Sequence, residues 1–303
     1  MKRRIVKQGN ATLTISLPAS WTKLQGLHDK DEIEVEEKDT SLVITTTKHY
    51  TPKTLAIDFT GFSKDLIIRY LYSLYKQGYE ELEITFSDVT FDKKNKRIDT
   101  LRFIQETITH LFGVEIVDQK KNFCRIKDLT GIVEDEFERM LSRILFSFST
   151  LIASCKEYLQ KKTAYDDIRY QQEVIEKFSV YCHRLLNKRN YPKATLYYNF
   201  ISDLKFSADI ISFLAREIHE YDLKVSLGEV TIFGQVAELF TKIFEVYHRF
   251  NRDRLMDIIS MRRKIYEHIN QIKLKENSLV AIRISSLLGL MPNLIENLLG
   301  IKI

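Results

Sequence analysis

Proline and glycine are scarce, four and ten residues in a chain of 303, which argues against a loop-rich architecture and for long helices. Cysteine is rarer still. Cys124, Cys155 and Cys182 are odd in number, far apart and set mostly among apolar neighbours, which excludes a disulfide framework and points to buried thiols in a reducing compartment. No long apolar run opens the chain. The most apolar later stretches, 141–155 and 287–295, are shorter than a membrane span or broken by polar residues. The expectation is therefore a soluble, cytoplasmic protein with no membrane insertion. A glycine-rich phosphate loop, a glycine-serine nucleophile elbow and histidines at metal-protease spacing are also missing, so the chain is read as a non-enzyme without a cofactor.

Acid is absent from the first 28 residues, which hold Lys2, Arg3, Arg4, Lys7 and Lys23. From Asp29 to Asp39 the balance reverses, with seven acids against Lys30 and Lys38. A net charge of +5 over the whole chain is mild, so any nucleic-acid site must be local. Within the basic segment Leu13, Ile15 and Leu17 alternate with Thr12, Thr14 and Ser16, the pattern of a half-buried strand after a turn at Gly9-Asn10. Pro18 suits the first turn of a short helix through Trp21 and Leu24, and Gly26 supplies a left-handed stop. Two further strands surround Ile33 to Val35 and Leu42 to Ile44. The order is β-β-helix-β-β in about 45 residues, too short to bury much surface alone, and oligomerisation is the expected remedy.

Arg4-Ile5-Val6-Lys7-Gln8-Gly9-Asn10, Thr14-Ile15-Ser16-Leu17-Pro18, Trp21, Leu24, Gly26-Leu27, Asp31-Glu32-Ile33-Glu34-Val35 and Ser41-Leu42-Val43-Ile44 follow one another in a way that resembles the AbrB/MazE type of swapped-hairpin domain. The resemblance implies an intertwined homodimer over residues 1–48. It also implies DNA binding through Lys2, Arg3, Arg4 and Lys7, with Asn10 and Lys23 as further candidates. A dimer doubles the cationic surface, which is what gives DNA affinity its salt-sensitive part.

Thr51-Pro52 starts a second unit, 51–130. A short strand at 55–59 leads through Gly61 and Ser63 into a helix closed by Gly78. Leu82, Ile84 and Phe86 alternate as a strand, and a second helix is expected over about 97–112, closed by Gly113. Strands at 114–117 and 123–126 pair as a hairpin. The unit is a small βαβαββ layer with both helices on one face, assigned no chemistry.

Helical periodicity governs 131–303. Phe137, Leu141, Ile144, Phe148, Leu151 and Cys155 make one apolar stripe, and five more follow, the third over Ala194 to about Tyr221. Six helices with short links pack as a bundle, and two successive triplets suggest duplication. The chain as a whole is α+β and multidomain. With Gly113-Val114-Glu115-Ile116, Lys127-Asp128-Leu129 and Glu173-Val174 as specific echoes, it resembles the archaeal PhoU-type phosphate uptake regulators with an AbrB-like N-terminus.

In those bundles an acidic residue four before an aspartate lets two carboxylates share a metal. Asp209 fits the aspartate, but Lys205 stands at the acidic position, and Ser285 and Gly289 fall at the two places in the second triplet. An ammonium repels a cation, so no metal site is assigned. Asp166-Asp167 reads as the charged start of a helix. Arg252, Arg254, Arg262, Arg263 and Lys264 read as a solvated face, or else as a second anionic contact. The resulting expectation is a dimeric transcriptional regulator of phosphate uptake, its bundle receiving a signal and open to a phosphate-transport or signalling partner. The rival reading is an adaptor that controls a transporter by protein contact and uses the hairpin only to dimerise.

Overall fold

Alternation and punctuation place the first elements. A computed structural model describes residues 2–9, 12–38, 40–46, 52–91, 96–130, 136–188, 191–271 and 278–303. The chain divides into two compact units, residues 1–53 and 54–303. In the first, β1 (Val6–Gln8) pairs antiparallel with β2 (Thr12–Thr14), α1 spans Ala19–Leu24, and β3 (Glu34–Lys38) pairs antiparallel with β4 (Ser41–Thr45). Pro18 precedes α1, and Gly26 adopts φ +59° after it, the left-handed stop that the sequence requires.

The second unit begins with β5 (Thr54–Asp58), α2 (Lys64–Lys76) and β6 (Glu81–Thr85), with β5 and β6 parallel. Ser63 caps α2 by accepting from the Leu66 N–H. There follow β7 (Val89–Phe91), β8 (Arg97–Asp99), α3 (Thr100–Ile108), β9 (Val114–Lys120) and β10 (Phe123–Asp128). The sheet order is β5-β6-β10-β9, and Leu82, Ile84, Cys124 and Ile126 share one core with Ile67, Leu71 and Leu74 of α2 and Phe103, Ile104 and Ile108 of α3.

The hairpin of β7 and β8 corrects the βαβαββ expectation. Arg97 to Asp99 pair with Val89 to Phe91 rather than opening a helix, and Asp99 caps α3 by accepting from the Arg102 N–H at 2.7 Å. The helix accordingly starts three residues later than expected. It also ends at Ile108, where tight turns close back from His110 to Thr107 and from Leu111 to Ile108.

Among the described residues six long helices complete the unit: α4 (Glu136–Leu159), α5 (Tyr165–Lys188), α6 (Ala194–Tyr221), α7 (Leu227–His248), α8 (Arg252–Gln271) and α9 (Leu279–Lys302). Their apolar stripes face inward, and Phe148, Leu151, Leu204, Ile211, Val236, Phe240, Ile284 and Leu287 are fully buried. α4 packs against α5, α6 and α7, while α9 packs against α6 and α7. The bonds Asn297 to Asp203 and Arg283 to Glu217 fix α6 and α9 as antiparallel neighbours. α9 alone among the described helices is long and apolar enough to cross a membrane, yet ten of its side chains are buried against the rest of the unit.

The layer and the helices meet at the end of α2. Its last carbonyls have no partner within the helix. Tyr75 O accepts from the Gly78 N–H at 3.0 Å and also from Arg184 Nη1 at 2.6 Å, and Lys76 O accepts from Asn187 Nδ2 at 2.8 Å, both side chains on α5. A guanidinium at the negative end of a helix dipole is well placed. Gly78 follows at φ +83°, where a Cβ would come within 2.8 Å of Lys188 Cγ. Arg184 also pairs with Asp128 at 2.5 Å, and Lys188 with Glu80.

Pro292 sits inside α9 and cannot donate to the carbonyl four residues back. That carbonyl, Leu288 O, accepts from Arg262 Nε of α8 at 3.0 Å. Arg262→Ala is expected to cost about 1–3 kcal/mol, the penalty of a stranded acceptor. In a Pro292→Ala background, where the helix repairs itself, the same change is expected to be nearly neutral. Urea unfolding of the four proteins of this cycle checks it, and an equal cost in both backgrounds would contradict it.

Candidate nucleic-acid interface

No described residue up to Lys53 is buried. Leu13 is 67% exposed, Val35 55% and Leu42 60%. The expectation of a half-buried strand at Leu13 to Leu17 is corrected on this point: β2 stops at Thr14, and none of its three residues is buried. The pairing register explains what is left bare. Leu13 lies opposite Lys7 on one face of the first hairpin, while Val35 lies opposite Ile44 and Leu42 opposite Glu37 on one face of the second. Among the described residues the two hairpins remain separate two-stranded sheets.

The cations are placed by the same elements. Lys2, Arg3 and Arg4 precede β1 as an extended exposed arm, Lys7 is the middle residue of β1, and Lys23 lies in the last turn of α1. All five are exposed, and none forms an ion pair or side-chain hydrogen bond among the described residues. Asn10 lies outside the described residues. Thr14 ties the hairpin by donating from Oγ1 to Val6 O at 3.1 Å. The acidic segment that follows is turned by Asp31, which accepts from the His28 N–H at 2.7 Å, and Asp29, Glu32, Glu34, Glu36 and Glu37 are exposed. Exposed, unpaired cations suit phosphate contact and steering, with no chemistry of their own.

The other candidate groups fall into place in the second unit. Lys205 and Asp209 share a face of α6, with Lys205 Nζ 3.0 Å from Asp209 Oδ2 and 3.5 Å from Glu176 Oε1 on α5. Ser285 and Gly289 lie on α9 and bring no carboxylate there. Among the described residues no three His, Cys, Asp or Glu side chains converge. Asp166 and Asp167 sit in the first turn of α5, the former 3.5 Å from Arg169 and the latter accepting from Thr163. On α8, Arg254 reaches Glu245, Arg263 reaches Glu267 and Arg262 is held by Leu288 O, so three of its five cations are engaged.

The nearest approach to a nucleophile pair is Ser202 Oγ, 3.2 Å from His183 Nε2. The Ser202 hydroxyl donates to Tyr198 O, and the same carbonyl lies 3.2 Å from His183 Nε2. Burial pushes the imidazole down to about 3, so the ring is neutral and packed, stacked on Tyr198 rather than poised as a base. The buried thiols are equally inert. Burial raises Cys124 to about 12 and moves Cys155 and Cys182 further in the same direction.

Glu176, Gln172 and the Arg184–Asp128 pair were not legible as partners in the sequence, because each joins residues on different elements. No protein-family model, curated protein or solved structure matches the chain.

Proposed function

We propose that the chain is a dimeric DNA-binding transcriptional regulator. By the resemblance described above its process is phosphate uptake. The hairpins of two copies interleave into one barrel that carries Lys2, Arg3, Arg4 and Lys7 of each chain to the phosphate backbone. The helices α4–α6 and α7–α9 are two repeats of a signal-receiving bundle. One observation carries this reading: an N-terminal unit with strands, a helix and free cations has no buried residue among those described. A second copy supplies the missing core and doubles the charge. The repeat reading is supported by α4 packing on α7 and α6 on α9, the pairing that two like halves would make.

A gel-shift titration across salt tests the assignment. Eight backbone contacts, four from each chain, are expected to weaken binding by roughly 10³–10⁵-fold between 50 and 200 mM salt. The combined variant Lys2→Glu, Arg3→Glu, Arg4→Glu is expected to abolish the complex and flatten that dependence. Binding that ignores salt, or survives the variant, contradicts the reading. The adaptor alternative is favoured by Phe146 and Phe206, which stand exposed on α4 and α6, and it expects only weak, sequence-blind DNA binding.

A further inference from the structure

Glu176 of α5 and Asp209 of α6 converge on a single point, and the chain fills that point itself. Lys205 Nζ lies 3.0 Å from Asp209 Oδ2 and 3.5 Å from Glu176 Oε1, while Gln172 Nε2 donates to Asp209 Oδ1 at 2.8 Å. The three charged side chains are mostly withdrawn from solvent, at 25%, 20% and 32% exposure for Lys205, Asp209 and Glu176. Burial alone would favour a neutral amine, but the two carboxylates outweigh it and hold the Lys205 ammonium above its ordinary value. Lys76, on the neighbouring α2, is pushed down by its own burial and by Lys205.

Carboxylate oxygens from two helices are hard ligands suited to Mg²⁺ or Mn²⁺. The bundles that the C-terminal half resembles place a metal between paired carboxylates, and the residues present here do not fit one. The coordinates that an ion would need are taken by an ammonium, and Ser285 and Gly289 offer no second carboxylate pair. From this disagreement we infer that Lys205 is a built-in substitute for a divalent cation. It closes a carboxylate site between α5 and α6 and makes the helical region independent of divalent metal. The compact ammonium satisfies both acids with its own donors and cannot be chelated away.

The full-length chain with Lys205→Ala tests this, with Mn²⁺ as the probe in calorimetric titration and thermal unfolding. The variant is expected to bind one Mn²⁺ and to gain Tm with rising Mn²⁺, as one-site linkage requires, while the wild type responds to neither. Adding Asp209→Asn to the variant is expected to remove the response. A folded Lys205→Ala chain without any Mn²⁺ response overturns the inference, as does a wild type that binds Mn²⁺ and loses it on Asp209→Asn. Should Lys205→Ala fail to fold without metal, Lys205→Met serves beside Lys205→Met with Asp209→Asn. The double variant, with one carboxylate charge fewer to neutralise, is expected to have the higher Tm, and an equal or lower Tm overturns the inference.

Discussion

Replacing Arg184 with methionine is expected to lower the unfolding free energy of residues 54–303 by up to about 3–5 kcal/mol, the usual cost of leaving one partner of a buried ion pair alone, less what Lys188, 3.5 Å from Asp128, offsets. Arg184 is 1% exposed, and its guanidinium serves three groups: Asp128 Oδ2, Tyr75 O and the face of the Tyr75 ring. Methionine fills similar volume, so the loss comes from a buried carboxylate left with Lys188, 3.5 Å away, as its charge partner and from the missing guanidinium bond to Tyr75 O, which keeps the Gly78 N–H, rather than from a cavity. Arg184→Met combined with Asp128→Asn is expected to recover part of that loss, since the amide still accepts from Thr130. Denaturant unfolding of Arg184→Met, Asp128→Asn and the double variant checks the coupling.

The same pair sets a pH dependence. Burial pushes the Asp128 carboxyl up, but hydrogen bonds from Thr130 and Arg184 outweigh it and leave the group below its ordinary value. A carboxyl lower in the folded than in the unfolded state contributes fully above the unfolded pKa, and the contribution is lost as pH falls through the folded one. The Asp128 contribution is therefore expected to be flat above about pH 4 and to decline below it, beneath the earlier loss that sets in as pH falls below the ordinary histidine value because His183 is buried neutral; Asp128→Asn is expected to make only the lower decline shallower.

The second large effect belongs to the N-terminal hairpins. Leu13→Asp is expected to raise the dimer dissociation constant by about 10²–10⁴-fold. Each copy withdraws one leucine from the shared core, at about 1.5–3 kcal/mol per side chain, and each 1.4 kcal/mol is tenfold. Leu42→Asp on the other hairpin is expected to act alike, because both side chains are exposed, Leu42 on the face that carries Val35 and Ile44 and Leu13 opposite Lys7. Thr12→Asp, on the opposite face from Leu13, is the control and is expected to leave association nearly unchanged. Sedimentation velocity over a concentration series reads all three.

These two sites differ in how far they could be read from sequence. The long helices were legible because their apolar spacing is sustained over more than about five turns; the third was bounded at 194 and 221, where the structure has Ala194–Tyr221. The β7–β8 hairpin was not, since its three-residue strands are too short to show alternation and Ile98 stands at helical spacing from Leu101. Alternation at Leu13 and Ile15 announced an apolar face, but a pattern within one segment cannot say whether the same chain covers it. Arg184 gave only one signal, its place inside the apolar run Val180 to Leu186, and its partners lie 56 and 109 residues away. Lys205 and Asp209, four apart on one helix, were visible as a pair, whereas Glu176 came from the neighbouring helix.

The central claim is that a second copy completes the N-terminal unit, and the mass of the intact chain in solution tests it most directly. Sedimentation equilibrium at micromolar concentration is expected to give twice the mass of one chain, falling to a single chain in Leu13→Asp. A wild-type chain that sediments as a monomer throughout would contradict the account, because Leu13, Val35 and Leu42 would then have no second copy to bury them.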